Sequence, residues 1–233
     1  MEEILTIDDV EGLQSKILYY NKFNKANDLY CSDDLTYASI KNNIKQYVKN
    51  EKISEELANG ICYFNAEDEG DFCNTLCDYF YYWIGDKIYN LSNSEVDFTT
   101  TINTIYTELS RNAKPYKCKC SSKHKTKKNF KKIKIAYEYY NDYGMLEEHL
   151  KNNNNKLCDA YYNNYLNNAV ETYNSVFNDC NNDNEPDYCI QLKEFIPIFS
   201  RYARIYRKNF LTYSHICARR YRKHFRTYRQ IYV

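Results

Sequence analysis

Ten cysteines, an even number with no C-x-x-C pair among them, are spread through segments of helical spacing. In an oxidising compartment such cysteines staple helices to one another; in a reducing one, ten thiols on a helical protein are harder to explain. The run from Cys73 to Ile88 says most. Two cysteines four residues apart, Cys73 and Cys77, precede Trp83, the one tryptophan of the chain. Phe72, Leu76, Phe80, Trp83, Ile84 and Ile88 recur at helical intervals, so the run reads as a buried aromatic helix pinned by disulfides. Cys73 and Cys77 share a helix face, and each can tie down a different neighbour at about 2–4 kcal/mol per bond.

The same spacing recurs along the chain. Leu13, Ile17, Tyr20 and Phe23 or Asn24 form a first stripe. Leu35, Ile40, Ile44, Tyr47 and Val48 form a second, behind a cap-like Ser32-Asp33-Asp34 cluster. Ile53, Leu57 and Ile61 form a short third, and Ser94 to Asp97 opens a helix carrying Phe98, Ile102, Ile105 and Leu109. Gly (5) and Pro (3) are too scarce for the many tight turns of a β-sandwich. Ten lysines and no acid between Lys114 and Lys134 read as an exposed loop. Structure resumes at Phe130–Tyr140. Asn152–Asn155 marks another loop, and a long helix follows. In it Leu157, Tyr161, Tyr165, Ala169, Tyr173 and Phe177 fall four apart and are expected on one face. Asn181–Asp187 is a turn, and Cys189 opens the last clear helix. The fold expected is all-α, a single disulfide-linked bundle of about seven to nine helices. The Lys114–Lys128 loop is its best candidate for an internal boundary. Tyrosine outnumbers phenylalanine 27 to 11, so the core is expected to be Tyr-rich, with hydroxyls needing partners at its edges.

All ten cysteines are disulfide candidates: Cys31, Cys62, Cys73, Cys77, Cys118, Cys120, Cys158, Cys180, Cys189 and Cys217. Cys180 and Cys189 bracket a short turn, and a bond between them is easy if the flanking helices fold back; either could equally pair with Cys158, Cys118 or Cys120. Cys118-x-Cys120 with His124 resembles a fragment of a zinc site but supplies three ligands without the usual cysteine spacing, so disulfides are favoured and no metal is expected. The aromatics expected in the core are Trp83, Phe80, Tyr161, Tyr165, Tyr173 and Phe177; a sugar or cofactor platform around Trp83 is the weaker reading. The four histidines (124, 149, 215 and 224) sit in polar or basic surroundings, and no nucleophile elbow, zincin, P-loop or dinucleotide motif occurs. The reading is of a non-enzymatic protein without a cofactor.

The net charge of +1 hides a division. Residues 1–200 carry 22 Lys/Arg against 31 Asp/Glu, whereas residues 201–233 carry ten Lys/Arg, eight of them Arg, and no acid. Arginine alternates with tyrosine in that tail, which suits an anionic membrane face or a single nucleic-acid strand. The partner expected for it is an acidic membrane surface, with no nucleic acid. The start, Met1-Glu2-Glu3-Ile4-Leu5, shows no secretory signal. The longest uncharged stretch, Ala160–Val170, has 11 residues, four of them Asn, and is too short and too polar to span a bilayer.

With these residues in place the chain resembles the Plasmodium interspersed repeat (PIR) family, and most of all its VIR branch in vivax-type malaria parasites. Cys73–Ile88 resembles the family's Cys–aromatic–Tyr-Trp–Asp-Lys-Ile helix. Lys131–Tyr140 resembles the basic, then Tyr-Tyr, segment after the family's central loop. Cys158-Asp-Ala-Tyr-Tyr-Asn-Asn-Tyr through Asp179-Cys180 resembles its Cys-x-x-Tyr…Tyr…Cys helix, and Cys189 takes the next cysteine position. The likeness runs from Leu13 to Phe199. It implies a disulfide-linked helical ectodomain over residues 1–200, exported to the infected red-cell surface or its membranes. It also implies a variant antigen engaged in immune evasion and in adhesion to a host cell-surface or serum protein. Most members carry a C-terminal membrane span. Where that span would come, this chain has its Arg/Tyr tail, so a soluble or peripheral form is expected, attached to acidic lipid or red-cell cytoskeletal partners in the alternative reading.

Overall fold

A computed structural model describes residues 4–67, 73–112, 120, 126–151, 157–180 and 186–195. Its described residues form nine α-helices: α1 (Ile7–Glu11), α2 (Asn21–Lys25), α3 (Asp34–Lys45), α4 (Glu51–Ala66), α5 (Cys73–Tyr89), α6 (Glu95–Arg111), α7 (Phe130–Lys151), α8 (Ala160–Asp179) and α9 (Tyr188–Phe195). A π-helix (Ser15–Tyr20) leads into α2 and a 3-10 turn (Asp28–Tyr30) leads toward α3. Outside the described residues lie Cys118, His124, Cys217, the Asn152–Asn155 run, most of the Lys114–Lys128 stretch and the 201–233 tail.

Helix starts follow the cap chemistry of the sequence. Asp33 accepts from the Thr36 N–H and Ser94 from the Asp97 N–H, as their placement suggested. Asn50 and Asp159 serve α4 and α8 in the same way, and Thr6 with Asp9 makes a reciprocal capping box on α1.

The chain divides into two compact units. One is Ile17–Phe130; the other joins residues 1–16 to those from Lys131 onward. The sequence reading was of a single domain with the Lys114–Lys128 loop as its best candidate boundary; the two units change over after Lys16 and after Phe130. Packing accounts for the second of these points. The Phe130 ring lies 5.7 Å from Tyr81, 5.8 Å from Tyr89 and 5.4 Å from Phe98, so it belongs with α5 and α6.

In the Ile17–Phe130 unit, α3, α4, α5 and α6 run up and down in turn. Lys41 reaches Glu51 at 3.0 Å and Glu55 at 3.3 Å between α3 and α4, and Lys87 reaches Glu56 at 2.6 Å between α5 and α4. The core between them is aromatic. Phe23 contacts Phe80 and Trp83, and Phe64 contacts Phe80. The Trp83 ring lies against Gly60, where an added Cβ would come within 2.4 Å of it, and its indole N–H donates to Asn24 Oδ1 at 2.9 Å.

In the other unit, Ile4–Leu5 pairs in parallel with Leu157–Cys158, and the Asp159 N–H extends the pairing to the Leu5 carbonyl. This two-residue ladder fastens the N-terminal segment beside the start of α8. Asp142 of α7, fully buried, accepts from both the N–H and the hydroxyl of Ser15, at 2.8 and 2.6 Å.

Candidate interaction surface

The two ends of the four-helix unit are built differently. At one end, where α4 and α6 finish and α5 begins, Cys31 is bonded to Cys62 and Cys77 to Cys120. Cys73 is disulfide-bonded as well. Both members of the i, i+4 pair on α5 are thus disulfide-bonded. Beside Cys31–Cys62 opens a cavity of about 240 Å³ walled by Tyr30, Ile40 and Ala66, with Ser32, Thr36, Asn65 and Asn112 as its polar lining. Leu29 and Leu35, chain neighbours of this lining, are 86% and 83% exposed.

At the other end the helices are joined by short turns alone, residues 46–50 and 90–94. Between them lies an open groove of about 460 Å³ with Tyr47, Leu91 and Asn93 on its walls and Val48 and Ile88 beneath. No sulfur crosses this end among the described residues.

Electrostatics separate the surface from the interior. At the cavity end, backbone and side-chain hydrogen bonds from Thr36 hold the Asp33 carboxyl below the usual carboxylate range. Glu51 is held low by Lys45 and Lys41. Burial pushes the Tyr106 hydroxyl far up, beyond any physiological titration. In the second unit burial raises Asp142 to about 6, against the opposing pull of its two hydrogen bonds from Ser15. Lys132 and Tyr188 both hydrogen-bond Asp179 and keep it low. Among the described residues no group of His, Cys, Asp and Glu is placed to hold a metal ion. Cys120, one of the three ligands of the zinc-like fragment, has its sulfur committed to Cys77.

The structure places the other sequence-predicted residues as follows. Cys180 is bonded to Cys189, and Cys158 is also disulfide-bonded. Phe80, Trp83 and Tyr173 are buried, while Tyr165 and Phe177 are only partly so. Tyr161 is 49% exposed and is no core residue. Its neighbour Tyr162 is buried instead, with Leu166, Ala169, Val170, Tyr173 and Val176. A spacing of four residues advances by about 400°, so a stripe kept at strict fours drifts about 40° per step and leaves the core within a few steps. Ile17 too is exposed, because the π-helix of Ser15–Tyr20 widens the turn and hands the inward face to Tyr19 and Tyr20. Leu35 and Tyr47, at the two ends of α3's stripe, face outward at the cavity and the groove. Sequence reading did not single out Tyr30, Asn65 or Asn112, since nothing in their local spacing announces a pocket.

No helix among the described residues is long and apolar enough to cross a membrane. No curated protein and no solved structure matches the chain. The profile of the Plasmodium vivax Vir protein family matches residues 13–228, and so runs past Phe199, where the motif likeness ended, and across most of the Arg/Tyr tail. Matched from Leu13 through the described helices and beyond them, the chain belongs to the Vir family, a variant-antigen family of malaria parasites.

Proposed function

We propose that this chain is a non-enzymatic variant antigen of the infected red cell, exposed to the host, which binds a host cell-surface or serum protein and takes part in immune evasion. Family membership together with a covalently pinned helical scaffold carries this reading: cross-linked helices keep their arrangement while exposed turns and termini change. The test is antibody staining of live, unpermeabilised infected cells, with antibodies raised against the oxidised chain. Surface staining is expected. Staining that appears only after permeabilisation removes the surface reading.

The charge of residues 201–233, ten Lys/Arg without an acid, favours a second reading, attachment to acidic lipid or cytoskeletal partners. It requires co-sedimentation with phosphatidylserine vesicles that salt weakens and that glutamine in place of the eight arginines abolishes. Association that survives those replacements removes it.

A further inference from the structure

Of the chain's 29 asparagines, Asn90 alone is followed two residues on by serine or threonine, and the residue between is Leu91, not proline. Asn-x-Ser is the acceptor signal for N-linked sugar. It can serve as one where the asparagine ends on the surface and the chain has passed through a secretory compartment. Both conditions have a counterpart in this fold.

Asn90 directly follows the last residue of α5 and is exposed. The turn that carries it is fixed from within. The Ile88 carbonyl accepts from the N–H of Leu91, the N–H of Ser92 and the Ser92 hydroxyl, each at 3.0 Å, and the Lys127 ammonium donates to the Ser92 carbonyl. Ser92 is 8% exposed, so its hydroxyl is buried while Asn90 stays outside. A sugar added at Asn90 therefore displaces no core group. The cysteines supply the compartment. Cys31–Cys62, Cys77–Cys120 and Cys180–Cys189 are bonds of a chain that folds in oxidising surroundings, where sugar is also transferred to asparagine.

We propose that Asn90 is a glycosylation site, whose sugar comes from a lipid-linked sugar diphosphate. In the transfer Asn90 Nδ2 forms a bond to the anomeric carbon. The bond from that carbon to the diphosphate oxygen breaks, the lipid diphosphate leaves with the electron pair, and the amide gives up one proton. The fold also sets the order of events. The signal depends on its serine hydroxyl, and in the finished turn that hydroxyl is spent on the Ile88 carbonyl. Addition therefore precedes folding, and the folded chain is no acceptor. Leu91, the middle residue of the signal, stands on the wall of the open groove, so the sugar lies beside that groove. The proposal rests on the reading of the chain as host-exposed, which requires the same secretory passage.

The test is peptide mapping by mass spectrometry of the chain isolated from infected red cells. The peptide that contains Asn90 is expected to carry a glycan built on N-acetylglucosamine at that residue. In a second arm the purified full chain is incubated with an oligosaccharyltransferase and dolichyl-diphosphate-linked N-acetylglucosamine. Reduced and unfolded, it should take sugar at Asn90; oxidised and folded, it should lose that uptake. Asn90→Gln, an exposed substitution, should take none in either state, and Ser92→Thr, which keeps the hydroxyl, should still accept when unfolded. Three outcomes overturn the site: a bare Asn90 in the chain from infected cells, an unfolded chain that refuses sugar there, or uptake that Asn90→Gln leaves unchanged. Equal uptake by the folded and unfolded chain overturns the order of addition. A chain that stains live cells with Asn90 bare loses the site and keeps its surface role; one that carries sugar there but stains only permeabilised cells does the reverse.

Discussion

Two glycines show how tightly single residues are set in this core. A Cβ on Gly60 would meet the Trp83 ring at 2.4 Å, and one on Gly85 would meet the Phe130 ring at 2.2 Å. In an exposed helix, glycine to alanine stabilises by about 1 kcal/mol. Here the clash outweighs propensity, because both rings are buried and the indole is held by Asn24. Gly60→Ala and Gly85→Ala are each expected to cost about 1–3 kcal/mol, the usual penalty of overpacking. Urea unfolding followed by Trp83 fluorescence measures it, and a gain in stability for either variant would mean that the rings can move aside. These glycines sit in apolar helical runs, and their role could not be read from spacing. It depends on which ring from another helix arrives opposite them.

The nine α-helices depend on their neighbours to different degrees. α9 has eight residues, too few to be stable alone, and is tied to the end of α8 by Cys180–Cys189 and by Tyr188 on Asp179. Serine at both cysteines should strip hydrogen-exchange protection from α9 while leaving α3–α6 protected. By chain entropy that bond, closing a separation of nine, contributes about 3 kcal/mol, and Cys31–Cys62, closing 31, about 4 kcal/mol. Replacing the second pair should therefore lower the unfolding midpoint more than replacing the first; the reverse order would show that the chain-entropy account fails here. Much at this level was legible in the sequence. The caps at Asp33 and Ser94 and the buried run of α5 arise within a few residues of chain, where spacing and side-chain chemistry decide, whereas Cys180–Cys189 was one of several pairings the sequence left open. Reading failed where geometry departs from an ideal α-helix or accumulates over distance. The π-turn exposed Ile17, and drift along α8 exposed Tyr161 and buried Tyr162. The cavity beside Cys31–Cys62 was not legible either, because Tyr30, Ile40, Asn65 and Asn112 reach it from separate segments of the chain.

For the molecule as a whole, pH is the most direct probe of the unit that holds Asp142. Burial raises this carboxyl to about 6 from an ordinary 3.8. Between those values the folded chain keeps a proton that the unfolded chain releases. The group therefore favours folding most below pH 4, and that advantage is lost as pH rises toward 6. A shift of about two units corresponds to roughly 3 kcal/mol. Glu138 pushes in the same direction and Lys16 opposes it. Asp33, Glu51 and Asp179, all held low, make the opposite contribution, present at neutral pH and lost in acid. The clean measurement is therefore the difference between the parent and Asp142→Asn in urea unfolding at pH 4, 5 and 7. The variant should gain on the parent as pH rises, and a constant difference would show that Asp142 titrates normally. The uneven ends of the α3–α6 unit carry a mechanical consequence. A tether gripping the chain beside Cys31 would pull on α4 through a sulfur–sulfur linkage, so tension enters the scaffold along a covalent path. A tether at the opposite turns would meet only non-covalent resistance, ion pairs such as Lys41–Glu51, hydrogen bonds and packed rings, and would peel the helices apart at lower force.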